Sequence, residues 1–185
     1  MSASNRQEEF VRIALTHTRS LLRVARRLTR DRATADDLVQ ESLLRAWRSF
    51  DQFQAGTNAK AWLFRILLNA YYARGRRLRV TPPMVELDEA QRSSVAAFRL
   101  RPSQSESVEI SRALDTLSAE HRAVLLLIAV EGFTCQEGAG ILGLPIGTVM
   151  SRMSRARQAL RERLTPPEPR RESPHANAAC AAKQA

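Results

Sequence analysis

The sequence predicts an all-α protein: two small helical domains joined by a flexible linker. Three observations predict it. Apolar residues recur at helical spacing through the first 77 residues and again beyond residue 107. No alternation long enough for a strand interrupts them, and a stretch rich in proline, serine and charge separates the two blocks. The expected division is a first domain over residues 7–79, a linker over 80–105, a second domain over 106–165 and a disordered tail over 166–185.

Residues 7–29 carry Phe10, Ile13, Leu15, Leu21, Leu22, Val24, Ala25 and Leu28, broadly at helical spacing. Thr34 and Asp37 then stand at capping-box spacing: a threonine hydroxyl can satisfy free amides, and carboxylates suit the positive end of a helix. The helix so opened carries Leu38, Val39, Ser42, Leu43, Ala46 and Trp47 near one face and ends around Phe50. Residues 53–56 read as a loop. Thr57 or Asn58 then caps a third helix, through Trp62, Leu63, Ile66, Leu67 and Ala70 toward Arg77.

Pro82, Pro83 and Pro102 mark the linker, within which residues 95–98 could make a short helical turn. Beyond it, residues 108–117 and 121–130 supply apolar faces, and Ser118 is the expected cap of the second. Thr134 and Glu137 repeat the capping-box spacing at the start of a short helix containing Gly138 and Gly140. Pro145 fits the first turn of a final helix, and Pro166, Pro167, Pro169 and Pro174 end the helical pattern.

Charge narrows the function. The net charge is +10 over 185 residues, which favours a polyanionic partner. A membrane span is not expected, because the longest apolar run, residues 123–130, is far short of the roughly 20 residues that crossing a bilayer takes. Glu8 and Glu9 stand where a secretory signal needs an apolar stretch. Cys135 and Cys180 offer no disulfide framework, and His17, His121 and His175 are too scattered for a metal site. No nucleophile–base pair or glycine-rich phosphate loop is present. The expectation is a cytoplasmic protein with no cofactor, no metal and no catalysis of its own.

The cations fall in two acid-poor runs. In the last helix, Thr148, Ser151, Arg152, Ser154, Arg155 and Arg157 are polar, while Val149, Met153, Ala156 and Leu160 lie near the opposite face. A short capped helix, a tight turn and a basic second helix are the layout of a helix-turn-helix that reads the major groove. Arginine can grip guanine bidentately, and hydroxyls reach bases or phosphates. A solvated amphipathic helix is the plainer account, but it does not explain the capped helix and turn before it. The other run, residues 60–77, mixes cations with Trp62, Phe64, Tyr71 and Tyr72, which suits single-stranded DNA because unstacked bases lie on rings while cations hold phosphates. Trp62, Leu63 and Ile66 fit a core; Asn69, Tyr72, Arg74 and Arg77 are the surface candidates. The acidic run at residues 36–41 repels DNA and suggests a basic protein partner, with helix capping explaining only Asp36 and Asp37.

Three segments, in order, closely resemble bacterial sigma factors of the extracytoplasmic-function type, the minimal branch of the sigma-70 family. Residues 36–47 look like region 2.2, residues 56–69 like regions 2.3 and 2.4, and residues 147–157 like region 4.2. The match runs from about residue 8 to 164. The resemblance implies that Asp37, Gln40 and Glu41 bind the clamp helices of the polymerase β′ subunit, with the β flap as a further contact of core polymerase. It implies that Phe53, Thr57, Asn58 and Asn69, with basic neighbours, capture the melted −10 element. Ser151, Ser154 and Arg155 would read the −35 element, and the linker would run along polymerase toward the RNA exit path.

The resemblance also implies an anti-sigma partner and a stress response. Two branches fit: the alphaproteobacterial general-stress sigma factors and an oxidative-stress group held by zinc-containing anti-sigma factors. Met150 departs from the pattern where a basic residue is usual, Gly138 and Gly140 replace better helix formers, and Ala119 stands where proline is frequent. A stand-alone operator-binding regulator would account for the second domain but leave the first without a purpose. A DNA-rearranging enzyme would need a catalytic domain that the sequence does not offer.

Overall fold

The computed structural model describes residues 3–54, 56–80 and 105–164. Among them are seven α-helices and no strand: α1 (Ala3–Thr29), α2 (Arg32–Arg48), α3 (Ala59–Val80), α4 (Ser105–Asp115), α5 (Ala119–Leu125), α6 (Cys135–Leu142) and α7 (Ile146–Leu164). The turn of helix expected at residues 95–98 and the tail beyond residue 165 lie outside the described residues.

Helices α1 to α3 form a three-helix bundle. Leu21, Val24 and Leu28 from α1 meet Leu38 and Val39 from α2 and Leu63, Phe64, Leu67 and Leu68 from α3, all buried. Arg30, at φ +62°, reverses the chain between α1 and α2. The start of α2 differs from the sequence expectation. Asp31, not Thr34, is the cap: its side chain accepts from the Thr34 N–H at 2.7 Å, so the helix begins at Arg32. The Thr34 side chain, and then its N–H, hold the Asp31 carboxyl below the usual range. An aspartate nearer the true start wins because only the first turn has free amides. A 3₁₀ turn (Phe50–Gln52) follows α2.

In the second module, Ser118 caps α5 as expected, accepting from the His121 N–H. The apolar run is not one α-helix, because from Leu126 to Val130 it widens into a π-helical turn. Thr134 and Glu137 form the full capping box at α6. Pro145 lies just outside α7, where its carbonyl accepts from the Thr148 and Val149 amides. Leu114, Leu117, Val124, Leu125, Ala139, Val149, Met153 and Ala156 make this module's own core.

The sequence predicts two modules on a flexible tether; the structure packs them against each other. Ala123, Leu126, Leu127, Phe133 and Ile141 join the buried cluster of the first bundle. Phe64 and Phe133 meet edge to face with ring centroids 5.4 Å apart. Phe133 is 4% exposed, and burying such a ring stabilises by about 1.5–3 kcal/mol.

Candidate nucleic-acid interface

Helices α6 and α7 present the duplex-reading candidate. The Glu137 N–H donates to Thr134 Oγ1 at 3.1 Å, and the Thr134 N–H donates back to Glu137 Oε2 at 2.9 Å. The Thr134 N–H, and then the Thr134 hydroxyl donating to the same Oε2 at 3.1 Å, pull the Glu137 carboxyl below its ordinary range, with Asn58 and Lys60 adding to the effect. Gly143 closes α6 at φ +64°, a left-handed conformation that costs glycine least. Because Val149, Met153 and Ala156 anchor α7, Ser151, Ser154, Arg155 and Arg157 are exposed and Thr148 is half-buried. Met150 stands among them, also exposed. Arg152 is placed differently: its guanidinium sits 2.7 Å from Glu120, tying α7 back to α5.

At the start of α3, Gly56 takes φ +87°, and Thr57 folds back on the Gln54 carbonyl through both its N–H and its hydroxyl. Asn58, rather than Thr57, caps the helix, accepting from the Ala61 N–H at 3.0 Å. Phe53 is half-buried, stacked on Phe50 at 5.7 Å and 5.0 Å from Trp62. It therefore belongs to an aromatic cluster rather than a free loop. Asn69 and Arg77 are exposed, whereas Tyr72 and Arg74 are half-buried. The Tyr72 hydroxyl is pushed up to about 12, chiefly by burial, with Tyr71 and Glu120 adding and Arg152 opposing. Tyr72, Arg74, Arg76, Leu28, Tyr71 and Glu120 border a cavity of about 410 Å³ between the modules.

The acidic stripe lies on α2. Asp37 and Gln40 are exposed, and Glu41 is half-buried and paired with Arg45. Leu44 continues the stripe one turn on and is 58% exposed, an apolar residue with no place in the core. The sequence reading missed it, although its position seven residues after Asp37 was a usable signal.

Also missed was an ionic junction between the modules. Glu131 has a fully buried side chain. Arg23 donates to its Oε1 from Nε at 3.0 Å and from Nη2 at 2.7 Å. Lys60 Nζ lies 3.0 Å from Oε2 but donates to the Glu131 main-chain oxygen at 2.7 Å, leaving Oε2 without a hydrogen bond. Asn58 donates to Glu137 at 3.0 Å, and Arg30 pairs with Asp115 at 3.1 Å. A lone acid after an apolar run carries no sequence signal for partners 108 and 71 residues away.

Among the described residues, no His, Cys, Asp or Glu grouping could hold a metal ion. No described helix is long and apolar enough to cross a membrane.

Comparison with known proteins agrees with this geometry. The family model for sigma-70 region 2 matches residues 13–80, and that for sigma-70 region 4 matches residues 107–160. The extracytoplasmic-function RNA polymerase sigma factor EcfG of Rhodopseudomonas palustris is 40% identical over 129 residues, covering 68% of each chain. SigM of Mycobacterium tuberculosis is 34% identical over 145 residues, 78% of this chain and 71% of that protein. Among solved structures, the sigma factor RpoE in complex with the anti-sigma factor NepR from Bartonella quintana superposes with a TM-score of 0.69 at 35% identity, covering 85% of this chain and 97% of that one. CnrH, in complex with the cytosolic domain of CnrY, gives 0.62 at 28% identity, covering 84% and 87%.

Proposed function

From its place in the extracytoplasmic-function sigma factor family, to which this chain belongs, we propose how it directs core RNA polymerase to specific promoters and helps open them. Residues 7–79 bind core polymerase and the melted −10 strand, and residues 106–165 bind the −35 duplex. Polymerase holds the two readers at a fixed spacing, with the linker over 80–105 running along it toward the RNA exit path. The observation that carries this reading is the separation of chemistries: a hydroxyl–arginine face on α7, and an acidic stripe ending in exposed Leu44 on α2.

Each surface then has one role. Ser151, Ser154 and Arg155 read base edges, with Thr148 and Arg157 on phosphates; Arg152 serves there once it leaves Glu120. Thr57, Asn58, Asn69, Tyr72, Arg74 and Arg77 hold the −10 strand, and Phe53 braces that loop from the aromatic cluster. Asp37, Gln40, Glu41 and Leu44 dock on the clamp helices of β′. The work is cytoplasmic and non-catalytic. An anti-sigma partner, as RpoE and CnrH have in their solved structures, covers these faces between stress signals.

The test is run-off transcription with core polymerase on a promoter library, alongside core-binding competition with Asp37→Arg. The expected results are promoter-specific transcripts and weaker core binding by the variant. Tight operator binding by the free protein with no promoter-specific transcript would instead make it a stand-alone regulator.

A further inference from the structure

The packing of the modules leaves an unexplained feature. A carboxylate from the second module is fully buried against two cations of the first, yet one of its oxygens takes no hydrogen bond. Enclosing a charge this way is costly unless the remaining lone pairs are satisfied. Arg23 aims both Nε and Nη2 at a single oxygen, a fork that a phosphate oxygen accepts equally well. Lys60 stands in the first turn of α3, beside the loop that ends at Asn58. Asn58, meanwhile, gives its side-chain N–H to a second carboxylate of the other module, Glu137.

We propose that Arg23, Lys60 and Asn58 form a binding site for the sugar–phosphate backbone of single-stranded promoter DNA, and that Glu131 and Glu137 fill it when the modules are docked. This rests on the reading of α3 as the single-strand reader. The two carboxylates stand in for phosphates, so the free chain holds its own cation site shut. Separation of the modules on polymerase uncovers the site where the melted strand must enter. The docked state is the weaker competitor because the Glu131 carboxylate is fully buried, whereas a phosphate reaching Arg23 and Lys60 keeps its outer oxygens in water. Arg23 is itself 53% exposed at its side chain, so the site opens toward solvent.

The test measures binding of a labelled single-stranded −10 oligonucleotide by the full-length chain at several salt concentrations. Glu131→Gln keeps the shape and removes the charge. Freeing two cations for two phosphates should steepen the dependence of log K on log salt by about 1.4, at roughly 0.7 per phosphate. Adding Arg23→Ala and Lys60→Ala should abolish that gain. Equal slopes for parent and Glu131→Gln, with equal helicity, overturn the proposal. So does a gain toward polyglutamate with none toward the oligonucleotide, which would mark the site as one for an acidic protein.

If Glu131→Gln does not fold, Arg23→Ala/Lys60→Ala is compared with the parent in assembled holoenzyme. There the slope should fall by about 1.4, and an unchanged slope overturns the assignment. Transcription separates the two levels of argument. A parent holoenzyme that starts no promoter defeats the sigma reading itself; one that initiates while the slopes coincide defeats only this site.

Discussion

Arg122 offers the sharpest test of how the second module holds together. It is 3% exposed, stands in α5 directly before the apolar run, and bears no ion pair among the described residues. Its guanidinium donates to three carbonyls at the end of α4 and the following turn: Leu114 at 2.9 Å, Asp115 at 3.1 Å and Leu117 at 2.8 Å. Burial lowers its pKa, with Arg30 acting in the same direction and Asp115 opposing. Arg122→Met keeps the apolar stem and removes every donor. The Asp115 carbonyl still receives Arg30, but those of Leu114 and Leu117 lose their bonds in a buried place. At about 1.5 kcal/mol or more for each charge-assisted bond, the loss is about 3 kcal/mol. A module of about 60 residues holds only some 3–9 kcal/mol, and each kcal/mol moves Tm by about 4–8 °C. Thermal unfolding followed by helicity should therefore show a transition lowered by about 12–24 °C. Proteolysis should begin in α4 and α5 and spare the first bundle. A melting curve within about 3 °C of the parent would refute the reasoning, since water would then be satisfying those carbonyls.

Two further outcomes follow from the packing of Tyr72 and the backbone at two glycines. Tyr72 should titrate near 12 in an ultraviolet titration of the parent and fall back toward 10 once the modules part, as in Glu131→Gln. Because its folded pKa is raised, the stabilisation it reports is complete below about pH 10 and is lost as pH rises toward 12; ionisation of Tyr72 near 10 in the folded parent would contradict its burial. Gly140→Ala should stabilise by about 1 kcal/mol, as nothing lies within 4 Å of the added methyl in mid-helix, while Gly143→Ala should destabilise by about 1 kcal/mol at φ +64°. Chemical denaturation measures both, and equal signs would refute the assignment of Gly143 as the left-handed cap.

Much of this was legible in the sequence because it is set locally. The capping box at Thr134 and Glu137, the Ser118 cap and the buried face of α7 depend on residues within a turn or two of one another. The same locality misled at Thr34. Asp31 lay three residues upstream with equal chemistry, and only the backbone at φ −130° and ψ 136° shows which residue is the cap. At Gly138, which replaces a better helix former, an added β-carbon would lie 3.7 Å from Ile128 and from Val149, ordinary contact that leaves room for an alanine.

Alone, the sequence determined the helices, the two modules, the family and the separation of acidic, aromatic–basic and hydroxyl–arginine surfaces. Periodicity and charge pattern are properties of neighbouring residues, so they need no fold to be read. Only the tertiary structure decided which of those surfaces are open. It turned Arg152 to Glu120, set Phe53 into the aromatic cluster, half-buried Tyr72 and closed Arg23 and Lys60 around Glu131. Each of these depends on where one packed helix face meets another. Partners that docking brings together across 71 and 108 residues leave no trace in the local pattern of the chain.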